Sequence, residues 1–319
     1  RFLGGDGTLQ AAIGFGGDAP GDVADTEEFN KAIVTYTPAS WATTTAINTA
    51  RWNLAGVGQA QTAAIAVGGL LPPGGDNSNA SETYDGSSWT EGNNINTTRR
   101  GLRGAGSSTA GIVIGGNTGP GVIVETYDGT DWSEAGDMNT AKQGHGVGAA
   151  GTTTASIAFG GNPNLAVTET FDGSSWTETG DLTTGRAGNG GAGTTTAALC
   201  VGGEAPTTAK SEEFNGSTWA EGNDLNEAKL DLMSGGTQTA GWVAGGDVNP
   251  GHINRTETYD GTSWSTSSAT LNTARDSAGS AAPSTTALVF GGSVPPGSTA
   301  AEEFSDVTTA AEAADIDFD

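Results

Sequence analysis

Apolar residues in this chain fall into short runs, each closed by a pair of glycines. Ala155–Phe159 precedes Gly160-Gly161, and Ala197–Val201 precedes Gly202-Gly203. No segment carries a 3.6-residue apolar period, so these runs predict strands rather than helices. A polar stretch follows each doublet, and after it comes Glu-x-aromatic, as in Glu82-Thr83-Tyr84. That spacing puts the glutamate and the aromatic on one face of a strand, because side chains alternate with a period of two. Beyond the aromatic stands a tryptophan: Trp89, Trp132, Trp176, Trp219 and Trp264. Between the two lie Asp85-Gly86, Asp128-Gly129, Asp172-Gly173, Asn215-Gly216 and Asp260-Gly261. Asp-Gly and Asn-Gly suit two-residue turns that need positive φ, so each predicts a hairpin. The Ala-rich segment Thr308–Ala314 is the one place where a helical turn is expected.

The whole pattern recurs seven times, each copy opening on a cation: Arg1, Arg51, Arg100, Lys142, Arg186, Lys229 and Arg275. The repeats are therefore 1–50, 51–99, 100–141, 142–185, 186–228, 229–274 and 275–319. The first and last copies depart from the pattern. An insertion delays the tryptophan of the first to Trp41, and the seventh has none. Each copy reads as four strands: the glycine-rich segment after the cation, the run ending in the doublet, Glu-x-aromatic, and the tryptophan strand. Such units repeated in series predict an all-β, seven-bladed β-propeller of four-stranded blades, as a single domain over 1–319. Glycines near the axis let the sheets crowd together, and aromatics further out fill the widening wedge. The last blade needs an outer strand. Thr308–Asp319, with the alternation Ile316 and Phe318, is the expected source, and a strand from before Arg1 or closure by packing alone are the alternatives.

Charge narrows the partners. With 37 acidic and 12 basic residues the chain carries a formal −25. This excludes nucleic acid and anionic lipid, whose phosphates need clustered Lys and Arg. No apolar run approaches the roughly 20 residues that span a bilayer, so no membrane insertion is expected. Cys200 stands alone inside a predicted second strand and reads as a core residue. The two histidines, His145 and His252, do not complete a metal site on their own, and the spacing of a calcium loop is absent. No Gly-x-Ser-x-Gly nucleophile elbow occurs. The expectation is a non-enzymatic protein with no cofactor and no metal.

Gly-Gly, Glu-x-Tyr and Trp, preceded by Asn-Thr-Ala-Arg at Asn48–Arg51 and Asn272–Arg275, resemble the kelch repeat over Arg1 to Phe304. That family includes the propeller of galactose oxidase. The Thr/Gly/Ser/Asn-rich repeats, with Asp-Gly-Thr-Ser-Trp at Asp260–Trp264 recurring almost verbatim, look like kelch-type bacteriophage proteins of tail fibres or the capsid exterior. The resemblance implies a structural or adhesion module on the virion surface or otherwise extracellular. Its partners would be other virion or surface proteins, or a host glycan or receptor. Two other roles belong to the same ring. A secreted carbohydrate oxidase needs a copper site with histidines and a Tyr–Cys cross-link, for which the ligand set here is deficient. An intracellular adaptor binds acidic peptides through arginines at the start of its inner strands.

The adaptor role gives Arg51, Arg100, Lys142, Arg186, Lys229 and Arg275 a reading as a ring at the channel mouth that captures carboxylates or sugars. The competing expectation, favoured by equal numbers, pairs each cation with the glutamate of its own repeat inside the sheet packing. Trp52 follows a register cation and would either stack a sugar ring or pack. Loops between second and third strands vary most and are natural recognition sites. Among them, Leu70-Leu71-Pro72-Pro73 is the apolar tip, either a protein contact or a tucked loop, and His252 lies in the loop Asp247–Thr256.

Overall fold

A computed structural model describes residues 4–8, 11–17, 23–30 and 33–312, except 74, 118, 120, 205, 249, 250, 282, 284, 295 and 296, with side chains from 36 to 307 apart from 143–149. These residues divide into two units: Ala39–Asp306, and the two ends of the chain, Arg1–Pro38 with Val307–Asp319.

Ala39–Asp306 folds into six antiparallel sheets of four strands. The first blade consists of Ala55–Ala60, Ala63–Val67, Ser81–Tyr84 and Trp89–Glu91. The inner strands of the next five blades are Arg103–Ser107, Gln143–Thr152, Gly190–Thr194, Met233–Thr237 and Gly279–Ala281. Each inner strand touches the next, and Gly279–Ala281 returns to Ala55–Ala60, so the unit is a closed β-propeller. Its strands and hairpins follow the repeat: Tyr84 faces Trp89 across the turn at Asp85-Gly86, and Tyr259 faces Trp264 across Asp260-Gly261.

The ring has six blades rather than seven, and two defective repeats account for the difference. Repeat seven lacks a tryptophan strand, and its third strand Ala301–Ser305 pairs instead with Ser40–Thr44, which carries the delayed tryptophan of repeat one. Phe304 lies opposite Trp41 in the same relation as Tyr84 to Trp89. The ring is thus closed by an N-terminal strand and not by the C-terminal segment expected for that place. Thr308–Glu312 is a strand, not a helical turn, and pairs with Ile33–Thr37 in the other unit. The β-branched Ile33, Val34, Thr308 and Thr309 favour that ladder over a helix. Ile316 and Phe318 lie outside the described residues. The remaining strands of repeat one, Gly4–Thr8, Ala11–Gly17 and Val23–Asn30, form a three-stranded sheet in that same unit.

Packing around the ring grades from glycine to aromatic. At the axis, a methyl group on Gly56 would sit 2.2 Å from the Ser280 carbonyl oxygen of the neighbouring inner strand, and one on Gly104 would sit 2.2 Å from that of Gly56. Further out, each blade interface holds its own apolar cluster, such as Val57, Ile65, Leu102, Val113, Tyr127 and Trp132. Tyr84 stacks on Trp89 with centroids 4.8 Å apart. The indoles also donate beyond their own blades: Trp41 Nε1 to Thr256 Oγ1 at 2.8 Å, Trp219 Nε1 to Thr168 Oγ1 at 2.9 Å.

One end of the channel is hooped by the backbone. In five blades the residue two places after the cation (Arg51, Arg99, Arg186, Lys229 and Arg275) turns into the left-handed region: Asn53, Gly101, Gly188, Asp231 and Ser277, with φ of 53, 68, 67, 52 and 52°. Its N–H donates to the equivalent carbonyl of the preceding blade, Gly101 to Asn53, Asn53 to Ser277, Ser277 to Asp231 and Asp231 to Gly188, all within 2.9 Å.

If Ser40–Thr44 closes the ring, Trp41→Ala should cost about 3–5 kcal/mol of unfolding free energy, as much as Trp89→Ala. Chemical denaturation of both variants measures this, and a silent Trp41→Ala would show that the ring does not depend on this strand.

Candidate functional site

The register cations are buried and paired. Arg51 meets Glu82 at 2.6 Å, Arg99 meets Glu125 at 3.0 Å, Lys142 meets Glu169 at 3.5 Å, Lys229 meets Glu257 at 2.8 Å and Arg275 meets Glu302 at 2.7 Å. Arg186 forms the sixth pair with Glu212. In the second blade the paired cation is Arg99, one residue before the Arg100 of the sequence register, and Arg100 is half-buried.

Each pair does more than neutralise charge. The Arg51 guanidinium also donates to the carbonyls of Gly68 and Ala80, at 3.1 and 2.8 Å. The first glycine of the doublet can present that carbonyl because it holds φ +62° where a side chain would meet the Arg99 carbonyl at 2.8 Å. The second carboxylate oxygen accepts the backbone N–H of the residue three places before the cation, from Asn48 to Glu82, Asn96 to Glu125 and Asn139 to Glu169 at 2.6–2.7 Å. Asn48 Nδ2 donates in turn to the Trp89 carbonyl at 3.1 Å. Asn-x-x-cation is therefore the clip by which the linker from one blade is fastened into the next. Burial lowers the pKa of Arg51, Arg99, Lys142 and Arg275 from their ordinary values, and the facing glutamates oppose that shift.

With the repeated charges locked inside, the blades differ where the inner strand begins and the second strand ends. Antiparallel pairing places these two points side by side on one face. The residue after the cation pairs with the residue after the glycine doublet: Trp52 with Leu70, Ala187 with Glu204, Leu230 with Asp247, Asp276 with Ser293. Similarly, the Asn117 N–H donates to the Arg100 carbonyl at 2.7 Å, and Gln143 pairs with Asn162. No two of these six pairs are alike.

Two corners of this face stand out. The first is apolar. Trp52 and Leu70 exchange backbone hydrogen bonds of 3.2 and 2.7 Å. Leu70 is buried, Trp52, Leu71 and Pro72 are half-buried, and Pro73 is exposed, so the tip is partly tucked. The second is charged. His252 Nδ1 lies 2.8 Å from Asp276 Oδ2, with Asp247 beside them. Burial pushes the Asp276 carboxyl up, the His252 imidazole draws it back, and the Asp231 carboxylate pushes in the same sense as burial. Blade six joins the corners: Asp276 belongs to it, Asn53 donates to its Ser277, and its Gly297 packs against Pro72.

Of the sequence candidates, Trp52, Leu70, Leu71, Arg100 and His252 lie on this face, whereas Arg51, Lys142, Arg186, Lys229 and Arg275 are held beneath it in the ion pairs. Asp231, Asp247, Asp276 and Arg103 were not singled out from the sequence. Aligning the repeats would have marked Asp231, Asp276 and Arg103, since each stands where the other copies carry a different kind of residue, but not Asp247, whose counterpart in the preceding blade is Glu204. Arg103 borders a cleft at this end of the channel, where burial lowers its pKa against the opposing Asp231 charge. The channel below is a cavity of about 160 Å³, lined chiefly by Gly, Ala and Ser such as Gly104, Gly191 and Ser280. Cys200 is buried among Phe159, Phe214 and Trp219. The side chain of His145 lies outside the described residues.

No family model matches the sequence, and no curated protein matches it. Among solved structures the chain is similar to that of YjhT, a propeller, with a TM-score of 0.65 and 14% identity over 83% of this chain and 99% of that one. A likeness at that identity concerns the fold.

Glu169 accepts the N–H groups of Asn139 and Thr140 at 2.7 and 3.0 Å besides facing Lys142. Its replacement by alanine should cost about 3–5 kcal/mol, because it leaves an uncompensated buried charge. Glu178→Ala, on the exposed outer strand, should leave the thermal midpoint unchanged. Equal small effects in thermal melts would show that the pairs do not hold the blades. The Cys200 thiol is pushed up to about 12 by burial, so it stays protonated at pH 8. A disulfide-exchange reagent at that pH should modify it only after unfolding in guanidinium.

Proposed function

We propose that this chain is a non-enzymatic recognition module of the kelch type, displayed on a virion surface as part of a tail fibre or the capsid exterior. It holds a host-surface or partner protein or glycan on the face where its blades diverge. What carries this reading is the division of labour among charged groups. The repeated cations and glutamates are spent on the scaffold, while the unrepeated residues collect at one end of a rigid ring. Trp52 offers an indole face for a sugar or an apolar side chain, with Leu71 and Pro72 beside it. Arg100 and the His252–Asp276 pair supply polar partners elsewhere on the same face. The large negative charge keeps such a module from clinging to nucleic acid and promotes solubility.

Labelled protein should adsorb saturably to some members of a panel of bacterial strains. Trp52→Ala should weaken that adsorption by about tenfold or more, equivalent to 1.4 kcal/mol, whereas Glu91→Ala, on an exposed outer strand, should not. Binding to no strain, or binding indifferent to Trp52 and Leu71, would refute the recognition role. Reproducible absence of the chain from virions examined by mass spectrometry would refute the location.

A further inference from the structure

The charged corner holds a set of side chains that no other blade has among the described residues. Asp247 follows the glycine doublet of blade five, and His252 closes the same loop through an antiparallel bridge to Asp247. Asp276 follows the cation of blade six. One donor atom from each of the three lies within 4.8 Å of the others, and His252 Nδ1 is 2.8 Å from Asp276 Oδ2. Donors bound tetrahedrally to a common ion at about 2.0–2.2 Å stand about 3.3–3.6 Å apart, so small side-chain rotations bring these three atoms onto one ion. Asp247 and Asp276 stand next to strand and hoop positions of two adjacent blades, and the bridge to Asp247 ties His252 to them.

The electrostatic setting supplies a second argument. The Asp276 side chain is only 9% exposed. A fourth group, Asp231, adds negative charge to it from outside the trio, and the guanidinium of Arg103 acts on Asp231. Three carboxylates thus stand against one arginine and one imidazole in a partly desolvated place, where opposite charge is worth more than in water.

We infer that Asp247, His252 and Asp276 form a divalent-cation site that clasps the loop of blade five to blade six and prefers zinc over manganese, calcium and magnesium. The preference follows from the donors. An imidazole nitrogen suits zinc, whereas manganese favours oxygen donors, calcium takes six to eight oxygens and magnesium keeps an octahedral oxygen shell. Three protein donors leave a coordination position for water or an oxygen of a ligand. The site stands whether or not the face captures a partner.

The test is calorimetric titration of the full chain, first freed of metal with EDTA, using ZnCl2, MnCl2, CaCl2 and MgCl2 in turn. One zinc ion per chain should bind saturably and raise the thermal midpoint. His252→Ala and Asp247→Asn should each weaken zinc binding by more than about tenfold and remove the thermal rise, while His145→Ala leaves both intact. Because His252 is 30% exposed, its replacement should spare the fold, and melts of the metal-free variants check this. His252→Gln, which keeps a polar side chain, should fail to bind zinc as His252→Ala does. Absence of saturable zinc binding, unchanged affinity in the His252 variants, or calcium binding as tight as zinc would overturn the inference.

Discussion

The ring depends on a buried cation facing a buried glutamate, repeated once per blade. Neither charge could be taken from water alone, since an unpaired ion in this interior would cost several kcal/mol. Each partner therefore uses its remaining hydrogen-bonding capacity on backbone groups: the arginine on the carbonyls that flank the second-to-third-strand loop, the glutamate on the N–H groups of the linker from the previous blade. The pair is a joint between three pieces of chain. It makes the positive-φ glycine doublet necessary, because only that turn aims a carbonyl at the guanidinium. It also gives a role to the asparagine three places before five of the six cations, whose backbone reaches the carboxylate and whose side chain in four of them reaches the tryptophan carbonyl. Thr183, before Arg186, keeps the backbone contact alone.

A scaffold built this way leaves one face free of the work of holding the ring together. The residues that recur are those that hold blades together, and the residues that do not recur are gathered on one face beside the hoop. There the six positions following the cations read Trp52, Arg100, Gln143, Ala187, Leu230 and Asp276. The backbone geometry beneath them is nearly constant, so side chains can change without disturbing the joint below. This is the physical basis for proposing recognition there, with an apolar corner and an imidazole–carboxylate corner bridged by blade six.

Much of the architecture was legible in the chain because it is written repeatedly. Glycine doublets, Asp-Gly turns, and aromatic and tryptophan at a fixed offset each correspond to a contact that every blade must make. The pairing of cation with glutamate was legible for the same reason. The candidate face was legible only in part. Trp52 and Leu71 were visible as apolar residues in unusual places, whereas Asp231, Asp247 and Asp276 are ordinary acidic residues among 37, and only the fold gives them neighbours. The register slip from Arg100 to Arg99 has a similar cause: two adjacent arginines fit the pattern equally well, and one of them points into the sheet.

By itself the sequence determined the blade, because a four-stranded wedge is a local object whose hairpins, turns and aromatic contacts are specified within a few dozen residues. Tertiary structure decided the number of blades and the closure of the ring. Seven copies are written, yet the tryptophan strand of the first completes the last, since ring closure joins segments more than two hundred residues apart in sequence. Which strand wins such a pairing is settled by the geometry of the finished circle, which no local pattern encodes.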